Sequence, residues 1–541
     1  MRVLSHPHMV VIQPTGGQRD TMNTVRHQFN IAQDNYINII LNVLNQQPIN
    51  NGKLCHVCFM KKVKTLGQVY TPIDIVRDVL DAAGYIGTDI LGKHVMENSF
   101  GEGAFLSEIV TRYIHESKKQ NHSNEQIAEE LATYVHGIDI DPANLSHTVQ
   151  MLNEQIKKEG IIQVNWDLSC RDSLTVVEYD NKMDYVVGNP PYVRVHNLND
   201  SYDTVKRFSF AQDGMTDIYI VFFEIGLNML KKGGKLSYIT ANSYYSSLAG
   251  TELRKYIRKT RSLYKIMDLG HYNPFNETTY TTITAIQKET SFDSVYYMSY
   301  ELDTGRPLEK DSIPYTELFV DSYIVLLDGA KNRSDFSKIY SIDRKKHSEI
   351  SVKNGFATLS DKVFIGDHVP DSKQTIRAIK ASTGKWTKCI YPYDENGHLI
   401  PFDKLDPVIQ TYFESHSEEL GGRDVEKNAQ WYAYGRSQAI ADVQKTRIAV
   451  NALVKDISSL KIQIVNPGEG IYSGIYILSE KYTFEQIESV LKTNDFMTYV
   501  RGIYKCKSGG YFTYSTEDLN KYLIYKLGNS SSVQTKLFNY S

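Results

Sequence analysis

The tightest constraint on this chain is the run Met183-Asp184-Tyr185-Val186-Val187, followed at once by Gly188-Asn189-Pro190-Pro191-Tyr192. The first five residues read as a short buried strand. Pro190 and Pro191 then fix their own φ angles and carry no N–H. Pro190 also pushes Asn189 toward extended conformations. The strand therefore ends in a rigid turn that displays acceptors, the Asn189 side-chain oxygen and nearby carbonyls, beside the flat face of Tyr192. Such a turn suits a planar ligand bearing an NH2 group. Two acceptors hold its two N–H bonds and draw the nitrogen lone pair out of conjugation, so that it can attack an electrophile. No titrating residue is needed at the turn itself. The plainer reading is a stiff turn beside an ordinary core tyrosine, and the neighbouring stretches decide between the two.

Those stretches repeat one grammar. His94-Val95-Met96-Glu97 reads as a strand, and Asn98-Ser99-Phe100-Gly101-Glu102-Gly103 as a turn entering a helix. That is the first step of a doubly wound α/β sheet, and Gly101 and Gly103 let a ligand approach the backbone. A Gly-x-Gly turn alone is weak evidence. A polar helix over 126–132 leads to a second strand, Val135-His136-Gly137-Ile138-Asp139-Ile140-Asp141-Pro142. An acid there, Asp139, suits a grip on two ribose hydroxyls. A third strand is expected over 161–164, followed by Asp172, an acceptor for an adenine amine. Any one of Glu97, Asp139 and Asp172 reads equally as a solvated loop acid. Three acids closing three successive strands make a pattern, and ligands of open α/β sheets bind at that edge.

Upstream, Thr71 stands where a helix N-cap belongs, with Pro72 at the first helical position and Asp74 in the first turn. This is either a well-capped helix or a helix end facing a carboxylate. Earlier still, apolar residues at three- and four-residue spacing predict a helix over 20–48. Downstream, a helix is expected over 217–230, closed by Lys231-Lys232-Gly233-Gly234. Strands follow over 235–240 and 264–269, then a closing hairpin over 281–287 and 294–300.

The order of these motifs over about residues 64–300 resembles that of the γ-class, TaqI-like, S-adenosylmethionine-dependent N6-adenine DNA methyltransferases. The resemblance implies a Rossmann-like class I methyltransferase sheet followed by a mixed α+β target-recognition domain. It implies S-adenosyl-L-methionine as cofactor and double-stranded DNA as partner; the residues themselves show no convincing metal constellation, and no metal is expected. Position by position, Thr71 is expected near the methionine carboxylate. Glu97, Gly101 and Gly103 are expected at its methionine end, Asp139 on the ribose and Asp172 on the cofactor's adenine. Asn189 and the Pro190 carbonyl are expected to hold N6 of the target adenine, with Pro191 stiffening the turn and Tyr192 stacked on the base. Phe275 is expected to cover the other face, with Tyr280 the weaker candidate. The loop departs from the common D-P-A-C-G-S-G at Phe100 and Glu102.

The length of 541 residues calls for more than one core. The expected division is a helical extension over 1–60, a methyltransferase domain over 61–305 and a recognition domain over 306–541. Net charge is -3, so DNA contact must come from local patches. One candidate is Lys331 to His347, where Lys331, Arg333, Lys338, Arg344, Lys345 and Lys346 face Asp335 and Asp343. A solvated basic face explains it as well. Lys353-Asn354-Gly355-Phe356-Ala357-Thr358-Leu359 resembles the opening of recognition domains in this family. Trp431-Tyr432-Ala433-Tyr434-Gly435-Arg436 and Lys505-Cys506-Lys507-Ser508-Gly509-Gly510-Tyr511 read either as nucleic-acid loops or as buried aromatics. Cys55-His56-Val57-Cys58 has no second close pair to complete a zinc site. The five scattered cysteines point to a reducing compartment. With neither a membrane span nor a signal peptide in view, the cytoplasm is the expected location.

The expected function is site-specific methylation, as the modification component of a restriction–modification system with a separately encoded endonuclease as partner. The rivals are methylation of protein glutamine or RNA, whose amides and amines also suit the turn, and a fused restriction–modification enzyme. A non-catalytic DNA-binding subunit of the same fold is opposed by the intact Asn189 and Tyr192.

Overall fold

A computed structural model describes residues 71–193, 202–214, 216–275, 279–427 and 429–538. The helix expected over 20–48 and the Cys55-His56-Val57-Cys58 stretch lie outside the described residues. Residues 65–541 belong to one compact unit.

Its frame is a nine-stranded sheet. The strands are β1 (Val95–Glu97), β2 (Val135–Asp139), β3 (Asp167–Cys170), β4 (Met183–Gly188), β5 (Leu230–Ala241), β6 (Leu263–Asp268), β7 (Thr281–Gln287), β8 (Ser294–Tyr300) and β9 (Pro307–Pro314). Their order is β3-β2-β1-β4-β5-β7-β6-β8-β9. The first five are parallel, and β7 enters antiparallel between β5 and β6. Every residue of β1, β2 and β4 is buried, as parallel strands covered on both faces require. Alternate residues supply the two cores. Val95, Tyr185 and Val187 pack with helices α1 (Ile73–Ala83) and α2 (Ala104–Lys119). Met96, Val186 and Tyr238 pack with α3 (Ile218–Met229).

Four expectations need correction. The apolar residues of 161–164 form no strand. Ile161 is instead the apolar residue that closes the helix Pro142–Lys158 (α4), its N–H bonding to Ile156 O at 3.1 Å past Gly160 at φ 83°. The sheet edge is taken by the more polar Asp167–Cys170. Lys231 to Gly234 do not end a helix. Leu230 already pairs with Met183, and Lys231 forms an ion pair with Asp184, so the sheet claims the segment. Strands β7 and β8 make no hairpin, because β8 pairs parallel with β6 and antiparallel with β9. Thr71 does not cap α1, which starts at Ile73 without a side-chain cap.

Beyond Pro314 the chain builds smaller sheets. One is four-stranded and antiparallel, from Ile350–Asn354, Ile475–Ser479, Arg447–Val450 and Ile462–Val465. The helix Thr516–Phe538 lies against it, with Asn520 Nδ2 donating to Ile350 O at 3.1 Å. The aromatic run at 431–436 is core here: Tyr432, Ala433 and Tyr434 are buried, and Tyr434 OH donates to Ile390 O at 2.8 Å. The basic stretch at 331–347 is partly internal too. Arg333 is 4% exposed and bridges Asp311 and Glu317.

The large sheet and the later part of the chain meet at Asp268, which ends β6. Tyr504 OH donates to its Oδ2 at 3.3 Å, and Asn242 Nδ2 to its Oδ1 at 3.4 Å. Burial pushes the Asp268 carboxyl up to about 6, with Asn242, the Gly270 amide and Tyr504 pulling the other way. An unfolded Asp titrates near 3.9, so between those values the native state holds more protons. The stability this provides is complete below about pH 4 and is lost as pH rises through about 6. Asp268→Asn, which cannot ionise, should remove about 2–3 kcal/mol of that loss. Urea unfolding of both proteins at pH 4 and pH 8 checks this.

Candidate active site

The carboxyl ends of β1, β2 and β4 bring the sequence-predicted residues to one edge. Glu97 ends β1 and is 2% exposed. Its Oε2 accepts the Leu106 N–H at 3.1 Å, in the first turn of α2, where amides lack helical partners. Burial holds the Glu97 carboxyl well above the usual carboxylate range, the Leu106 amide lowers it, and nearby Asp139 raises it further. A buried carboxyl in that condition gains from the arrival of a cation.

Asp139 ends β2 and is already busy. Its Oδ2 accepts from Gly101 N at 2.8 Å, and its Oδ1 from Asp141 N and Asn144 Nδ2, each at 2.9 Å. The carboxylate thus ties the β1 turn to the β2 turn. A carboxylate has about four acceptor positions, so one remains, on Oδ2. The two glycines of the turn differ. Gly101, at φ 51°, has nothing within 4 Å of where a Cβ would stand, which leaves room for a ligand against the backbone. At Gly103, φ 79°, a Cβ would meet Thr148 Cγ2 of α4 at 2.6 Å.

Gly188, at φ 151°, opens the turn after β4. Asn189 Nδ2 donates to Thr71 Oγ1 at 3.0 Å, and Thr71 stands one residue before the Pro72 N-cap position of α1. Asn189 Oδ1 is buried and has no partner among the described residues. An unmet buried acceptor costs about 1–3 kcal/mol. Pro190 is buried, and Pro191 and Tyr192 are half-buried. Tyr192 OH donates to Ile239 O at 3.2 Å, and its ring stands edge-on to Tyr219 at 6.2 Å. Burial raises its phenol well above the usual value, so it acts as a neutral, anchored ring.

Asp172, half-buried, accepts Leu174 N at 3.0 Å in the turn after β3. Phe275 is half-buried on the loop after β6, with its N–H on Asn273 Oδ1 at 3.2 Å. Two contributors were not foreseen. Asn98, 1% exposed, accepts from Tyr238 OH at 2.9 Å, and its Nδ2 has no partner among the described residues. Asn144 orients Asp139 from five residues downstream. A buried asparagine beside a strand-end acid was the readable sign of the first; nothing in the sequence marked the second.

The edge combines an unmet acceptor, a buried carboxyl, a second acid with one position to spare and open backbone at Gly101. Those features fit a ligand with a cationic end, hydroxyls and a planar part. The fold, with β7 antiparallel between β5 and β6, and this edge define a class I methyltransferase that uses S-adenosylmethionine. Residues 88–275 match the family model of the Eco57I restriction-modification methylase. The Type II methyltransferase M.BstVI of Geobacillus stearothermophilus is 26% identical over 419 residues, 68% of this chain and 73% of that protein. M.PaeR7I of Pseudomonas aeruginosa is 25% identical over 498 residues, 85% of each. Among solved structures, the Type IIL restriction-modification enzyme MmeI in complex with DNA shares the fold, with a TM-score of 0.51 at 13% identity over 85% of this chain and 66% of that one. The chain is a DNA methyltransferase of the restriction–modification type, Eco57I-like in its methylase segment. Among the described residues no helix is long and apolar enough to cross a membrane.

The glycines give a test. Gly103→Ala adds a clash with Thr148 to a left-handed backbone and should cost about 2–4 kcal/mol. Gly101→Ala carries only the backbone cost of about 1–2 kcal/mol. Denaturant midpoints at constant slope should rank them in that order.

Proposed function

We propose that the chain transfers the methyl group to N6 of an adenine swung out of duplex DNA at a specific sequence. The observation that carries this reading is the buried Oδ1 of Asn189, which has no partner among the described residues. It is an acceptor, fixed on a proline-stiffened turn, with the Pro190 carbonyl as its companion and the anchored ring of Tyr192 beside it. An exocyclic amine supplies the missing donor. Phe275 closes the second face of the base. The base must leave the stack because its N6 is otherwise out of reach of the cofactor. Catalysis is positioning and polarisation of the amine.

On the cofactor side, Glu97 takes the methionine ammonium, the cation its raised carboxyl lacks. Thr71 lies by the methionine carboxylate, and Gly101 and Gly103 shape the turn around that end. The spare position of Asp139 takes a ribose hydroxyl, and Asp172 the adenine amine. S-adenosylmethionine supplies the electrophilic methyl. Residues 61–305 perform the reaction and 306–541 read the DNA. The partner is a separately encoded endonuclease in the same cytoplasm, a reading supported by relatives named as methyltransferases alone.

Nucleoside digestion of a duplex methylated with labelled cofactor should yield N6-methyladenine; N4-methylcytosine would overturn the choice of base. Asn189→Ala should lower transfer about a hundredfold or more while calorimetry shows near-unchanged cofactor affinity. Asp139→Ala should do the reverse at the binding step, weakening cofactor affinity because both the hydroxyl acceptor and the tie to Gly101 are lost.

A further inference from the structure

The loop after β6 carries Phe275, and a hairpin from far along the chain is docked on it. Strands Cys506–Lys507 and Tyr511–Thr513 are antiparallel and joined through Ser508-Gly509-Gly510. Phe512 meets His271 edge-on at 4.7 Å, and His271 meets Tyr280 edge-on at 5.3 Å. His271 Nε2 is buried without a partner among the described residues. Burial first, then the cations of Lys455 and Arg501, hold its pKa below the usual imidazole value.

Three cations gather at this hairpin. Lys507 is exposed on its first strand. Lys455 reaches over its tip, with Cε 3.1 Å and Nζ 3.6 Å from where a Cβ of Gly510 would stand. Arg501 is exposed and close enough to bear on His271. The adjacent Lys505 is tied to Asp518 at 2.8 Å, whereas no ion pair among the described residues takes Lys455, Arg501 or Lys507. Unpaired surface lysines are ordinary; the place of these is not. Gly509 and Gly510, at φ 80° and 83°, leave the tip bare of side chains. The strand order puts three steps between β4 and β6. At roughly 4.8 Å each that is about 15 Å, along which one DNA strand carries about four phosphates. The other basic hairpin offers less: its opposed Arg377 and Lys388 are matched by Glu469 and Asp371.

We propose that Lys455, Arg501 and Lys507 form a clamp on the phosphates flanking the target nucleotide, and that the Phe512–His271 contact ties this clamp to the loop bordering the base pocket. The proposal rests on the reading of duplex DNA as substrate. Phosphate contacts set register and carry no sequence information directly, so the clamp strengthens every duplex alike.

The test uses the full chain with Lys455→Gln, Arg501→Gln and Lys507→Gln, singly and together. Affinity is measured over a series of salt concentrations for a duplex holding the site mapped from methylated product, and for a scrambled duplex. Each change should lower the slope of log affinity against log salt by about 1 and weaken both duplexes by the same factor. Lys338→Gln, an exposed lysine of the helix Ala330–Tyr340, should leave the slope unchanged. The triple variant should raise KM for DNA and leave kcat nearly as it was. An unchanged slope in the triple variant overturns the clamp, and a loss confined to the mapped site makes these residues base readers. Neither readout depends on which base is methylated, so an error in the choice of adenine would appear in the nucleoside digest and leave these slopes intact.

Discussion

The centre of a parallel sheet is a poor place for two prolines, because each removes a donor that a neighbouring strand expects. Strand β4 lies between β1 and β5, and it ends where Asn189-Pro190-Pro191 begins. Gly188 makes the exit possible by adopting φ 151°, a conformation that side-chain-bearing residues rarely take. The ladder stops there on both sides, and the chain leaves through a turn with little freedom to relax. On that turn Asn189 Oδ1 is buried with no partner among the described residues. A buried acceptor of this kind is costly when unmet and complementary to an amine, the property on which the proposed reading rests.

The rest of the edge is organised by a division between groups already satisfied and groups left wanting. Asp139 is held by Gly101, Asp141 and Asn144, so the β1 and β2 turns form one rigid piece with one acceptor position in reserve. Glu97 is the opposite case: one amide meets it, burial works against its charge, and a positive ligand relieves both. Thr71, just before α1, is tied to the turn after β4, since its hydroxyl accepts from the Asn189 amide. The turn after β4 and the segment entering α1 therefore share a hydrogen bond.

Much of this was legible in the sequence because it depends on local chemistry. The strands β1, β2 and β4 lie where the sequence puts them, with Glu97 and Asp139 ending the first two and Asn189 just past the third. What failed depended on partners far along the chain. Ile161 and Val164 are apolar because one closes a helix and both fill the core, and no local pattern separates that from a strand. The insertion of β7 between β5 and β6 is a matter of topology, invisible to a reading that pairs strands in order. Thr71 carried every mark of a helix cap, yet a tertiary partner took its hydroxyl. Trp431 to Arg436 shows the same limit from the other side: aromatic, basic and glycine-rich segments look alike whether they meet DNA or fill a core.

The charge distribution carries the last step. A net charge of -3 would repel a polyanion if it were spread evenly. It is not spread evenly, because many cations are spent on structure. Arg333 is internal, and Arg254 and Arg447 are buried among backbone carbonyls. The basic stretch 331–347 uses Arg333 in this way and pairs Lys331 with Asp335, Arg344 with Glu517 and Lys346 with Asp343, which weakens it as a site for DNA. What matters for a phosphate is not how many lysines a segment contains but how many still lack an anion. It also matters whether they stand where the substrate must pass. Lys455, Arg501 and Lys507 have no ion pair among the described residues, and the hairpin they surround packs through Phe512 on His271, in the loop after β6 that the proposed reading sets beside the base.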